Sequence, residues 1–365
     1  MRILAIDVGT GTQDILLFDS SQPVENALQL LMPSPTQIAA GRIRRASQAR
    51  HAVVLTGVVA GGGPCHWALQ DHLRANLTAY ATAEAAATFD DDLEAVQRMG
   101  VTLVSEDEAR ALDADHVELR DLDLPAIHTA LAAFDVDTHL DGLALGCLDH
   151  GASPPGYSDR LFRFDHLCRV VEIGKDLRAF AFLPHELPDY LTRARALVAA
   201  ADVPTVFLDT GPAAALGALQ DPLVRQAREQ LILNLGNMHA LAFHLRGTHV
   251  HSLYEHHTGE VTAQQLEEFT RRLIAGDLTH GEIFNSNGHG AFYADHDGAT
   301  DPIIAVTGPQ RGKLRGSRLN PYFAVPHGDM MLSGCFGLLW AFAEKHPRHQ
   351  EEILAALGLS AAQAT

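Results

Sequence analysis

Residues 5–19 read AIDVGTGTQDILLFD. Two apolar runs flank a turn that holds one carboxylate, Asp7, two glycines, Gly9 and Gly11, and two hydroxyls, Thr10 and Thr12. Glycine lets a backbone approach an anion closely and turn its N–H groups toward it, and threonine hydroxyls add donors. A carboxylate repels phosphate directly, yet it can hold a hydrated Mg²⁺ that neutralises phosphate charge. Asp7 is placed for that role, with Gly9, Thr10, Gly11, Thr12 and Gln13 around the phosphates. The same residues also make a tight hairpin with a capping Asp, and the stretch alone leaves both uses open.

Other residues offer chemistry further along. Asp149 follows an apolar run in LGCLDHG (145–151) and can serve as a general base if a substrate hydroxyl lies within reach, or simply cap a turn. His150 beside it is a candidate substrate donor. Asp209, in Asp209-Thr210-Gly211-Pro212, is a second candidate for a base or a contact to metal-bound water. Histidine occurs 21 times, and His239, His244, His249, His251, His256 and His257 crowd into one short segment. On a strand His249 and His251 share a face, which suits a metal; the other reading is cleft or surface histidines of an acidic protein. His256–Gly259 and Asn285–His289 read as lining of a substrate cleft. Two glycine-rich look-alikes fail on spacing. Gly308 and Gly312 stand one residue too close for a phosphate-binding P-loop, with Leu314 in place of Ser or Thr. Ala60–Pro64 lacks the dinucleotide spacing, although Gly61–Gly63 can still form a loop near the cleft.

The elements that must position these groups follow from composition and pattern. A chain of 365 residues with 47% hydrophobic and 20% charged residues suits two α/β domains with full cores. A formal net charge of −18 argues against a phosphate-backbone binder, so no nucleic-acid partner is expected. Cys65, Cys147, Cys168 and Cys335 share no metal or redox spacing, and no signal peptide or membrane span is evident, so the expected setting is cytoplasmic. Strands and helices alternate. Arg2–Asp19 reads as strand, turn and strand, Ala52–Val59 as a buried strand, and Trp67–Ala87 and Leu93–Met99 as helices. Asp141–Leu148 is a further strand and 152–160 a loop. Tyr190–Ala201 is expected as a helix, Thr205–Leu208 as a strand and Ala213–Leu219 as a small-residue helix. A break near Asp221-Pro222 divides the chain into 1–221 and 222–365. Beyond it, Gln230–Leu245 repeats strand-turn-strand, Thr262 and Gln265 form a capping box opening a helix to Ala275, and 276–302 is expected as a functional loop or lid.

Two phrases occur twice. Ile6-Asp7-Val8-Gly9-Thr10 lies on Leu233-Asn234-Leu235-Gly236-Asn237, and Asp209–Leu219 resembles Leu332–Ala343. A strand-turn-strand opens each half and a small-residue helix closes it, a duplicated plan. The order of these phrases resembles the actin-like ATPase superfamily of actin, Hsp70 chaperones, hexokinase and the sugar kinases. Asp7–Gln13 resembles its first phosphate motif, Asp209–Asp221 its first connecting helix and Leu233–Phe243 its second phosphate motif. Ile303–Arg311 resembles its adenosine motif and Met331–Phe342 its second connecting helix. A closer resemblance is to the domain-of-unknown-function family 1786, carried by DVGTGTQD, LDTGPAAALGAL, NLGNMHALAF, EHHTG, VTGPQR and HGDMMLSGCFGLL. Members of that family are sometimes labelled pyruvate formate-lyase activating enzymes. A radical-SAM activator needs three closely spaced cysteines for its cluster, and this sequence has no such triplet.

The resemblance implies an α/β fold of two RNase H-like lobes with ATP and Mg²⁺ in the cleft between them. Asp7 then organises the magnesium through water, and Gly9–Gln13 with Gly236 and Asn237 hold phosphates. Gly308 and Arg311 sit near the adenosine, and His150, His256 and His257 near a small-molecule substrate. The implied activity is Mg-dependent phosphoryl transfer or ATP hydrolysis. Asn234 and Met238 depart from the superfamily pattern, since Asn234 lacks a charge to position metal or water and Met238 is bulkier than glycine. A nucleotide-gated binding module is the alternative, and a histidine-rich metal enzyme a third. The apolar phrase Phe336–Phe342 can serve a homodimer interface as well as a core.

Overall fold

The computed structural model describes residues 1–295 and 301–359. Strands β1 (Arg2–Val8) and β2 (Thr12–Asp19) pair antiparallel from Arg2 opposite Asp19 to Val8 opposite Gln13, and β3 (Leu28–Pro33) extends the meander. The chain then leaves to build a separate parallel sheet from β4 (Val53–Gly57), β5 (Ala79–Ala81), β6 (Val101–Leu103) and β7 (Asp115–Leu119), in the order β6-β5-β4-β7. On return, β8 (Gly142–Cys147) and β10 (Thr205–Asp209) run parallel beside β1. The two-residue β9 (Ala181–Phe182) completes the order β3-β2-β1-β8-β10-β9.

The second half repeats this topology. β11 (Gln230–Leu235), β12 (His239–Arg246) and β13 (His249–His257) form an antiparallel meander, with β14 (Gly290–Tyr293) on its outer edge. β15 (Ile303–Thr307) and β16 (Tyr322–Phe323) run parallel on the other side, giving β14-β13-β12-β11-β15-β16. A three-strand meander followed by parallel strands on its first edge, made twice, is a duplicated RNase H-like, actin-like two-lobed fold. The first sheet's last strand ends at Asp209 and the second sheet's first strand begins at Gln230.

Alternation along each strand assigns two buried faces. Leu4, Ile6, Val8, Leu143 and Leu145 face helices of the first lobe, and Leu231, Leu233 and Leu235 face helices of the second. Ile3, Ala5, Ala144 and Val206 instead share one core with Ile232 and Phe243 of the other lobe. Two helices fill that shared core, Thr210–Ala218 and Ser333–Lys345. They pack closely because each carries a glycine at the crossing. A methyl group on Gly217 would collide with the Ser333 backbone, and one on Gly337 with the Ala213 backbone. The second of these helices also packs on β1, β8 and β10, so part of the expected second lobe completes the first.

Three local expectations differ. Trp67–Ala87 is not one helix: Pro64–Arg74 is helical, Ala79–Ala81 is β5, and Ala83–Ala86 is a short second helix. Asn76, at φ 57, turns the chain after the first helix, and pairing with β4 and β6 then overrides the helix preference of alanine. Segment 276–302 is not all loop: it holds a helix His280–Asn285 and strand β14, and its residues 296–300 lie outside the described residues. The strand forms because Ser252–Glu255 of β13 offers it a free edge. Phe336–Phe342, expected to serve core or interface, is buried inside the chain. Among the described residues, no helix is long and apolar enough to cross a membrane.

The crossing predicts a sharp steric response. Gly217→Val is expected to destabilise the fold by about 3 kcal/mol or more in urea unfolding, because backbone on both helices must separate. Gly259→Ala, with nothing within 4 Å of the added methyl, is expected to stay within about 0.5 kcal/mol of the native protein.

Candidate active site

The two hairpin turns close in the same way. Gly9 N–H donates to the Thr12 carbonyl at 3.0 Å, and Gly236 N–H donates to the His239 carbonyl at 2.9 Å. In each, a methyl on the glycine would stand 3.0 Å from that same oxygen. A side chain at either position would therefore press on the carbonyl that closes its turn, which glycine avoids. Gly11 meets the Asn237 amide across the cleft so closely that a side chain there would overlap it.

Between the turns lies a cavity of about 110 Å³ that opens to solvent. Asp7, Gly9, Thr10 and Thr12 form one wall, Asn234, Gly236, Asn237 and Met238 the facing wall, and Gly308, Met330 and Gly334 close it. Asp7 sits under the starts of both crossing helices: Thr210 Oγ1 donates to its Oδ1 at 2.6 Å, and Gly334 is kept bare by its carboxylate. Asp14 stands directly opposite Asp7 on the hairpin, and its Oδ1 is buried without a hydrogen-bond partner. Burial, with the neighbouring carboxylates Asp14 and Asp209 adding to it, pushes the Asp7 pKa up to about 7 against the pull of Thr210 and Arg193. Asp14 is likewise raised by burial, to about 6. Two facing carboxylates that resist ionisation, one with an orphaned oxygen, make a hard-oxygen site that a divalent cation would satisfy.

A second cavity, of about 290 Å³, shares Gly9, Thr10, Leu148, Arg193, Met238 and His239 with the first. Its other walls include Thr36, Gly61–Gly63, Thr88, Asp91, Asp149 and His150. Arg193 stands between the cavities, held by Asp121 at 2.6 Å and by the Leu148 carbonyl at 2.6 Å. Behind them lies a second buried arginine. Arg163, on the helix Asp159–Gly174, reaches Asp209 at 2.5 and 3.0 Å, Glu255 of β13 at 3.3 Å, and the Asp149 carbonyl at 3.1 Å. All three side chains are at most 5% exposed, and the triad ties the lobes together.

These partners change the reading of several residues. Asp209, expected as a base or metal-water contact, is spent on Arg163 and on capping its own helix through Gly211 N–H. Asp149 lines the second cavity, but its two oxygens accept the Gly151 and Ala194 N–H groups at 2.8 and 2.9 Å, which is the turn-capping alternative. Gln13 turns away from the cleft and donates to the Pro33 carbonyl. Arg311 donates to the Gly308 carbonyl and lines neither cavity. His256 is buried against Phe269 and bonds Ser286, and His257 bonds the Asn287 carbonyl, so neither faces either cavity. His150 does line the second cavity. Arg163, Arg193, Asp14 and Glu255 were not found from sequence. Arg163 and Arg193 are charged residues within helices with no motif around them, whereas Asp14 ends the phrase DVGTGTQD and Glu255 opens EHHTG, where the glycines and histidines drew the reading instead.

Two expectations follow. Arg163→Met is expected to cost about 3–5 kcal/mol in chemical unfolding, because Asp209 and Glu255 lose the cation that neutralises them in the interior. For Asp7, the native pKa near 7 lies above the ordinary 3.8, so the folded chain holds an extra proton between those values. Stability contributed by this group therefore falls as pH rises through that window. Asp7→Asn without added metal is expected to melt at higher temperature than the native protein at pH 8, with the gap closing below about pH 4.

No curated protein matches this chain. Among solved structures, the Lmo2764 protein from Listeria monocytogenes is similar over 95% of this chain and 100% of its own, at 11% identity and a TM-score of 0.35. The ROK hexokinase from Thermus thermophilus covers 95% and 100% at 12% identity and a TM-score of 0.33. The ethanolamine utilization protein EutJ from Carboxydothermus hydrogenoformans covers 94% and 89% at 9% identity and a TM-score of 0.28. Similarity this distant assigns no role to any residue of the cleft. The cysteines that an iron–sulfur activating enzyme would gather stand apart, in the inserted-sheet region (Cys65), at the end of β8 (Cys147), on the Arg163 helix (Cys168) and in the second crossing helix (Cys335). Residues 60–313, which include the first crossing helix, the second hairpin turn and the Thr307–Gly308 turn, match the model described as "Putative pyruvate format-lyase activating enzyme (DUF1786)", and the chain belongs to that family.

Proposed function

We propose that the first cavity binds Mg·ATP and that the protein transfers its terminal phosphoryl group to a small polar molecule in the second. The observation that carries this reading is the convergence of two glycine turns from duplicated lobes on one cavity, with Asp7 and Asp14 at its base and a second, polar cavity opening from the same wall. Glycine-rich turns of this kind can direct the backbone N–H groups at their tips toward phosphates. Asp7 and Asp14 would hold Mg²⁺ through their oxygens, the cation supplying charge neutralisation when bound. The apolar side chains Leu241, Met330 and Met331 suit the flat face of a base. Catalysis in this arrangement is positioning: the hairpins fix the donor, and Arg193, shared by both cavities, sits where transferred charge would pass.

One observation favours a second reading, in which nucleotide binding closes the cleft and closure is the output. Asp149 and Asp209, the expected bases, are both committed to partners, and Asn234 brings no charge to the second turn.

Calorimetry with Mg·ATP decides the first question. Binding that requires Mg²⁺ and weakens at least about tenfold in Asp7→Ala supports the cleft assignment, and failure of the folded native protein to bind overturns both readings. ADP release stimulated by a small polyol or hydroxy acid supports transfer; tight binding without turnover supports the gate.

A further inference from the structure

Four histidines meet where the lobes touch. His150 leaves the end of β8 in the first lobe, while His239 opens β12, His257 ends β13 and His289 precedes β14 in the second. His150 Nε2 lies 3.2 Å from His239 Nε2, and the His289 ring stacks on His150 with centroids 5.7 Å apart. One nitrogen from each of His150, His239 and His289 lies within 4.8 Å of the others. His289 is fully buried, and neither of its ring nitrogens has a hydrogen-bond partner. A neutral imidazole always carries one donor and one acceptor, so leaving both unmet in the interior is a marked exception.

We propose that His150, His239 and His289 bind one divalent transition-metal ion of the zinc type, with an open coordination position toward the second cavity. The spacing suits it: two nitrogens about 2.0–2.1 Å from a tetrahedral metal stand about 3.3 Å apart, close to the His150–His239 separation. Three protein ligands leave room for one oxygen ligand from water or substrate, and His150 and His239 both line the cavity from which it would come. Each ligand is held by its backbone. Gly236 N–H fixes the His239 carbonyl, the Asp149 carboxylate fixes the turn after His150, and His289 N–H donates to the Glu255 carbonyl at 2.9 Å. Arg160 holds the preceding Gly288 carbonyl at 2.7 Å. Glu255 Oε2 stands 4.0 Å from His289 Nδ1, outside hydrogen-bond reach in this structure but the carboxylate placed to orient that imidazole were the gap to close.

The surroundings tolerate the charge. Arg163 and Arg160 both stand beside the cluster, and Asp209 and Glu255 match them in number, so no formal excess of positive charge faces the ion. Burial disfavours the charged form of both His150 and His289, with neighbouring imidazoles and Arg163 acting in the same direction. Because the ligands come from both lobes, the ion would fasten the cleft shut independently of any nucleotide. A second grouping, His249, His251 and Asp295, lies at the other end of β13 and on the residue after Ala294, away from both cavities.

The test uses full-length, chelator-stripped protein without nucleotide, so its failure leaves the ATP reading untouched. Zn²⁺ is titrated against a chromophoric chelator, and Co²⁺ is added separately to record its visible spectrum. One equivalent of Zn²⁺, an intense four-coordinate Co²⁺ spectrum, and affinity at least about 100-fold lower in both His150→Gln and His289→Gln is the expected result. His150, half-buried, gives a variant that folds even if the fully buried His289 does not tolerate change. Binding unchanged in His150→Gln but lost in His249→Gln overturns the assignment in favour of the other grouping. No Zn²⁺ uptake by folded native protein overturns it outright.

Discussion

The distance between two helix backbones governs everything in the cleft. Gly217 and Gly337 let the crossing helices touch, and the helices carry Thr210 and Gly334 at their starts. Those starts seat the Asp7 carboxylate, so the crossing, the hairpin and the cavity are one mechanical unit. A side chain at either glycine would widen the crossing and move the helix starts away from Asp7. The shared core of both sheets gives this arrangement its rigidity, because Ile3, Val206, Ile232 and Phe243 pack into one cluster with the helices.

Charge is distributed unevenly over the duplicated halves. In the first lobe the hairpin presents a facing pair, Asp7 and Asp14; at the matching places in the second stand Asn234 and Leu241. Of these two matched pairs only the first carries carboxylates, so the acidity at the two turns is one-sided. The buried arginines follow the same economy. Arg163 and Arg193 each take up carboxylates that would otherwise be stranded in the interior, and in doing so remove Asp209 from the set of free bases.

Histidine takes the place that charged residues hold elsewhere. At the junction of the lobes the contacts among His150, His239, His257 and His289 are ring to ring. Burial holds His150, His239 and His289 neutral, so the interface carries nitrogen donors without the desolvation cost of buried charge.

The sequence by itself determined the repeated architecture and the position of the turns. Alternating apolar residues specify which strand face is buried, and glycine at 9 and 236 is legible as turn chemistry, each standing close against the carbonyl that closes its return. It also marked Asp7, since a carboxylate between two buried strands has few bland uses. Tertiary structure decided what each polar side chain does. Asp149 and Asp209 look alike at strand ends, yet one accepts two backbone N–H groups and the other an arginine 46 residues away. The inserted sheet took the alanine-rich stretch out of a helix, and β14 brought His289 beside His150 from 139 positions earlier. Periodicity and turn chemistry are local properties of a chain. The partner of a buried charge, or of a ring nitrogen, is set by packing between residues far apart in sequence, and no local pattern records it.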